Sequence, residues 1–152
     1  MIETIIEDED WRSHLPEVEA LAAQCFNAAV GVEPALRGDI ALLLTNDAAL
    51  QLLNAKFRGK DTPTNVLSFP SGEDNDFLGD IALARETMIR EAQEARIPLR
   101  DHAAHLIVHG MLHLTGHDHE TDKMASEMER CEVEILERLG MANPYVREAA
   151  AT

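Results

Sequence analysis

The sequence predicts an α+β fold: a small mixed sheet packed against about five helices. Three observations predict it. Strand-like runs and helix-like periodicities alternate in the first half, a hairpin pattern follows, and only helical patterns remain after it. The 152 residues are read as one domain, 1–152, and a chain of that size buries roughly 70% of its unfolded surface without any staple. Apolar residues make up 45% and charged residues 27%, the proportions of a globular protein, while aromatics are only 4%. Leu, Ile, Val and Ala must therefore fill the core.

Met1 to Ile6 reads as a short strand running into the acidic cluster Glu7-Asp8-Glu9-Asp10. A helix is expected from about Pro16 to Val30, with Val18, Leu21, Ala22, Cys25, Phe26 and Ala29 at helical spacing and Gly31 ending it. Pro16 suits the first turn, where a missing N–H costs nothing. Ile40 to Leu44 is a continuous apolar run of strand length. Asn46 is placed to cap the next helix, which should carry Leu50, Leu53 and Phe57 inward and stop near Arg58-Gly59. Val66 to Phe69 and Phe77 to Leu83 read as an antiparallel hairpin across the polar turn from Ser71 to Asp76. A helix then runs from about Arg85 to Arg96, where Pro98 breaks the pattern. The segment from Leu99 to Thr115 is apolar nearly all round, as a central helix must be, and Gly116 ends it. The last helix starts near Thr121, shows Met124, Met128, Cys131, Ile135 and Leu139 on one face, and closes at Gly140, with a tail that frays towards Thr152.

The chain carries 28 acidic and 13 basic residues, a net charge of −15. A uniform field of that sign repels phosphate and anionic membranes. The charge is not uniform. Residues 37–100 hold eight basic and ten acidic side chains, and within them residues 37–60 hold four basic and two acidic ones. A polyanionic ligand, if there is one, is thereby restricted to the segment around Arg58. The low aromatic content argues against a stacking platform for single strands. Cys25 and Cys131 lie on apolar helix faces and are expected as buried free thiols, not a disulfide framework. The N-terminus has no basic start or long apolar run, and no segment reaches the ~18 apolar residues of a membrane span. These features place the protein in a reducing cytoplasm.

Six of the seven histidines fall between His102 and His119. His109 and His113 are four apart on the predicted central helix, so their rings share one face, the pairing that zinc helices use. Gly116 lets the chain turn back, and His117 or His119 can then supply a third ligand. The offsets from His109 to Gly116 and His119 match the H-x-x-x-H-x-x-G-x-x-H skeleton of metzincins, which favours His119. Three neutral imidazoles leave a fourth position open on one Zn2+ per chain. Nickel and copper also accept imidazole. His105 cannot join His109 and His113 on one ion, because eight helical residues rise ~12 Å. It and His102 are expected to pack or to support the ligands. The glutamate that follows the first histidine in H-E-x-x-H peptidases is here Gly110.

Lys56-Phe57-Arg58-Gly59-Lys60 is the densest basic stretch. An arginine fork suits phosphate and transition-state charge, yet a cation at a helix C-terminus also simply complements the dipole. The residues alone leave both uses open.

The string from His109 to His119 resembles the signature of the YbeY family of bacterial rRNA maturation factors. Phe57-Arg58 followed by Thr62-Pro63-Thr64-Asn65-Val66-Leu67-Ser68-Phe69-Pro70 resembles the family's second block, and Leu78-Gly79-Asp80-Ile81 its third. The order and spacing agree over most of the chain. The resemblance implies a four-stranded, zincin-like fold. It implies a zinc-dependent, single-strand-specific endoribonuclease acting in 16S rRNA 3′-end maturation, ribosome quality control and RNA turnover. It implies His109, His113 and His119 as zinc ligands and Arg58 as the important arginine. On that basis Arg58, His109 and His113 are the expected catalytic residues, and Lys56, Arg58 and Lys60 the expected substrate contacts. Single-stranded 16S rRNA and the small ribosomal subunit are the expected partners, with no membrane. Two positions depart from the family pattern: His117 stands where tyrosine is usual, and Asn65 where aspartate is frequent. Ser68 and Thr64 are weaker candidates, since strand hydroxyls often satisfy backbone groups. Two alternatives stand beside this reading: a metal-dependent hydrolase of peptides or small molecules, and a non-catalytic ribosome-associated factor.

Overall fold

The computed structural model describes residues 1–72 and 76–145. The middle of the expected polar turn and the expected fraying tail, 146–152, lie outside the described residues.

Four strands form one mixed sheet: β1 (Ile2–Ile6), β2 (Asp39–Thr45), β3 (Val66–Pro70) and β4 (Phe77–Ala84), in the order β1-β2-β4-β3. β1 and β2 are parallel, as are β2 and β4, while β3 and β4 pair antiparallel, with Ser68 opposite Ile81. The expected hairpin is therefore present, and β3 is an edge strand. Six helices are described: α1 (Asp10–His14), α2 (Val18–Val32), α3 (Asp47–Arg58), α4 (Arg85–Ala95), α5 (Leu99–Leu114) and α6 (Asp122–Arg138).

The sheet buries both faces because successive side chains of a strand point opposite ways. Ile40, Leu42, Leu44, Ile81 and Leu83 join the main core with α2, α5 and α6. Leu67, Ala82 and Ala84 point to the other face, where Leu50 of α3 covers them. α5 is the central helix. Ala103, Ala104, Ile107, Val108, Met111 and Leu112 are all fully buried, so nearly every side of it meets protein.

Four local expectations are corrected. α1 is an additional, sixth helix within the acidic segment. Its Trp11 is fully buried and donates its indole N–H to the Thr45 carbonyl at 2.7 Å. The second helix begins at Val18, so Pro16 lies in the preceding turn, and it runs through Gly31 to Val32. Gly31 faces the Arg138 guanidinium, which a Cβ would meet at 2.5 Å. Phe57 is 58% exposed: at the last turn of α3 its ring packs edge-on against the Phe69 ring of the edge strand, 5.5 Å away, and is not enclosed by the core. Cys25 is buried, which pushes its thiol up to about 12, whereas Cys131 is only half-buried.

Candidate metal centre

α5 presents His109 and His113 one turn apart at its C-terminal end. The helix stops at Leu114, and Gly116 takes φ 98°, a backbone that side chains with a Cβ rarely adopt. The amide of His117 closes the end by donating to the Leu112 carbonyl at 3.1 Å. This reversal brings His119 back over the helix end. Its ring centroid lies 5.4 Å from that of His113 and 6.2 Å from that of His109.

The three rings converge. Nε2 of His113 stands 3.1 Å from Nε2 of His109, and one ligand nitrogen from each of the three rings lies within 4.8 Å of the others. Two nitrogens on one tetrahedral zinc at ~2.05 Å would be about 3.3 Å apart, so the spacing fits. Burial lowers the pKa of His113, and the neighbouring His109 and His119 lower it further. That favours the neutral imidazole a metal needs. His109, His113 and His119 can thus hold a metal ion. The alternative third ligand, His117, is not in this cluster, and its Nε2 lies 3.7 Å from a Glu33 carboxylate oxygen.

The cluster forms one wall of a cleft of about 660 Å3. The opposite wall is the loop before β3 and β3 itself, including Thr64, Asn65 and Ser68. Arg58 and Lys60 line it as well, while Lys56 is not among the lining residues and places its ammonium 5.2 Å from the Phe57 ring centroid. α3 ends at Arg58 because Gly59 adopts the left-handed conformation. The Arg58 Nη2 donates to the Ser68 carbonyl at 2.9 Å, which pins the guanidinium against the edge strand. The Ser68 hydroxyl donates to the Gly110 carbonyl at 3.1 Å, so it holds sheet to helix. Asn65 donates to both oxygens of Glu91, at 3.0 and 3.2 Å. His102 bonds that same Glu91, away from the three converging rings.

Sequence reasoning missed Glu132. It lies on α6 only 1% exposed, and one of its oxygens is 3.2 Å from Nδ1 of His109. The other is contacted by His105 and by the Tyr145 hydroxyl. Burial would raise its pKa, but the hydrogen bonds with His105 and His109 outweigh that and hold it at about 2. A signal was present: Glu132 stands between Met128 and Ile135 on the apolar face of its helix, where an acid needs partners.

A family model described as Endoribonuclease YbeY matches residues 5–140. A Rhodospirillum rubrum protein of that name is 47% identical over 152 residues, covering 89% of this chain and 76% of its own. One from Maricaulis maris is 46% identical over 149 residues, covering 97% and 92%. The solution structure of a Thermotoga maritima protein is similar in fold, with a TM-score of 0.57 over 91% of both chains at 23% identity. With the family model spanning most of the chain and close relatives along nearly its whole length, the chain belongs to the Endoribonuclease YbeY family.

Proposed function

We propose that the chain is a single-domain, zinc-dependent endoribonuclease that cuts single-stranded RNA in the cytoplasm. In this reading it trims the 3′ end of 16S rRNA and acts in ribosome quality control, in contact with the small ribosomal subunit. The observation that carries the proposal is the meeting of two features in one cleft. Three histidines converge on one wall, and Arg58, held by the Ser68 carbonyl, stands with Lys60 at the other.

His109, His113 and His119 would hold one zinc, which supplies Lewis-acid polarisation at the scissile phosphate. Arg58 binds that phosphate. One of its five donors is spent on Ser68, which fixes the fork, and the rest are available to phosphate oxygens. Lys60 adds charge within the cleft. Gly110 offers no general base; RNA brings its own nucleophile, the 2′-hydroxyl, whose proton would pass to solvent. The cleft runs beside the edge strand, and a single strand with splayed bases is the form of RNA whose base edges and backbone such a site can reach.

One observation favours peptide hydrolysis as a second reading. β3 is an edge strand beside the histidines, and extended peptides add to such edges. The Arg58 guanidinium on the Ser68 carbonyl weakens it, because it occupies an acceptor that an added strand would use.

Purified protein should cleave a single-stranded RNA oligomer and spare its duplex, and both a chelator and His113→Ala should abolish cleavage. Cleavage that survives both would refute the metal-dependent mechanism. Turnover of a peptide library that is lost in His109→Ala would favour the second reading. Normal rRNA processing in cells carrying a folded His109→Ala would favour the non-catalytic factor.

A further inference from the structure

The carboxylate of Glu132 sits behind the histidine cluster, not in the cleft. Its Oε1 is 3.2 Å from Nδ1 of His109. Its Oε2 accepts from the Tyr145 hydroxyl at 2.8 Å and meets Nε2 of His105. Three donors therefore surround one acceptor-only group, one on Oε1 and two on Oε2. The pair on Oε2 stops the carboxylate from rotating away from His109. A neutral imidazole carries one proton, and a carboxylate at Nδ1 draws it there. The lone pair is then left on Nε2, the atom that stands 3.1 Å from Nε2 of His113. His105 is one turn further back on α5 and spends its Nε2 on Glu132, so it serves this network instead of the metal cluster.

We propose that Glu132 is a positioning residue for the metal centre: it fixes His109 as the Nδ1–H tautomer and aims its Nε2 at the position shared with His113 and His119. His105 and Tyr145 hold Glu132 in turn. The inference rests on the reading of the three histidines as metal ligands. It assigns a role to a helix, α6, that contributes no ligand. A purely structural carboxylate, buried to satisfy His105, would influence folding but not the proton position on His109.

The isosteric Glu132→Gln separates the two. Its amide has one oxygen and one NH2. The two donors on the Oε2 side claim the oxygen, so the NH2 faces Nδ1 of His109 and drives that ring to the Nε2–H tautomer. The tautomer is read by long-range 1H–15N NMR of the full-length, metal-free protein at alkaline pH, and Zn2+ affinity by competition with a chromophoric chelator. In the wild type His109 should be protonated on Nδ1. Glu132→Gln should move the proton to Nε2 and weaken zinc binding 10- to 100-fold, with a folded far-UV spectrum. Glu132→Asp should recover part of the affinity. Protonation of wild-type His109 on Nε2 overturns the proposal, and that measurement decides it even if the variants do not fold. A folded Glu132→Gln with zinc affinity within twofold of wild type also overturns it. If wild-type His109 shows the Nδ1–H tautomer but the protein takes no zinc, the metal-ligand reading fails, while the assignment of the proton to Glu132 stands.

Discussion

His109 and Gly110 are neighbours in α5 with opposite duties. His109 lines the cleft, while a Cβ on Gly110 would meet the Ile81 side chain at 2.8 Å and the Ser68 hydroxyl at 3.2 Å. The position that carries a glutamate in zinc peptidases is here a close approach of helix to sheet. Gly110→Ala gains helix propensity of up to ~1 kcal/mol but overpacks the contact by about 1–3 kcal/mol. The net expectation is a loss of about 1 kcal/mol in urea denaturation. Gly110→Glu should cost about 3 kcal/mol or more, because the carboxylate would enter an apolar contact unpaired. A stable Gly110→Glu would show that the helix can lift from the sheet. Arg58→Lys keeps the charge but loses the fork that holds Ser68 and is proposed to bind phosphate. Its kcat/KM on RNA should fall about 10- to 100-fold, or about 1.4–2.7 kcal/mol, with the melting temperature nearly unchanged. The three converging histidines were legible in the sequence because helix pitch and one reversing glycine determine their meeting. Glu132 was not, since nothing in the spacing from 109 to 132 says that α6 lies against α5.

Helix starts were more legible than helix packing. Asn46 caps α3 as its position predicts, accepting from the Ala49 amide at 2.9 Å. What the sequence did not disclose is that α3 and α4 cap each other. The Asp47 amide donates to Glu86 at 3.0 Å, and Asp47 accepts from the Thr87 amide at 3.0 Å. Each carboxylate sits at the positive end of the other helix. Asn46→Ala should cost about 1 kcal/mol in chemical denaturation. Asp47→Ala and Glu86→Ala should each lose one of these two bonds, and because each acceptor's partner is a backbone amide that the other substitution leaves in place, the double variant should be close to additive in chemical denaturation. α1 escaped the sequence reading because five residues are too short to show a period. Its buried Trp11, the chain's single tryptophan, was the available signal. Phe57 misled for a related reason: periodicity tells which side of a helix a residue is on, not whether the sheet still extends beneath it.

At the scale of the molecule, the net charge of −15 and an RNA substrate are compatible because the positive groups are local. Arg58 and Lys60 are the lysine and arginine side chains lining the cleft, so the number of phosphates they neutralise, Z, is small. With Z of two on a single strand, log K should fall against log salt with a slope of about −1.4. Anisotropy of a labelled, 2′-O-methylated oligomer checks this. A much steeper slope would mean that RNA contacts cations elsewhere. The acidic segment also contributes to the fold. Asp8 pairs with Arg85 at 3.2 Å, joining the turn after β1 to the junction of β4 and α4. Burial would raise the Asp8 pKa, but the Asp10 amide and Arg85 outweigh that and lower it. A carboxylate lowered on folding stabilises above its unfolded pKa, roughly 3.9, and loses that contribution as pH falls through its lowered folded value. Asp8→Asn should therefore destabilise the protein near pH 7 by less than about 1 kcal/mol, and the difference from wild type should vanish in acid.

The alternation of strands and helices was readable, and so was the hairpin. The sheet order was not, because nothing in the spacing of the strands says that β4 lies between β2 and β3. That insertion makes β3 an edge and opens the cleft between it and the histidines. The central claim is that one zinc on His109, His113 and His119 makes this cleft a ribonuclease. Metal-free protein titrated with Zn2+ against a single-stranded RNA substrate tests it most directly. Cleavage should rise to a plateau at one equivalent of zinc in the wild type and stay at background in a folded His119→Ala. Cleavage by the metal-free protein that zinc does not increase, or full activity in His119→Ala, would contradict it.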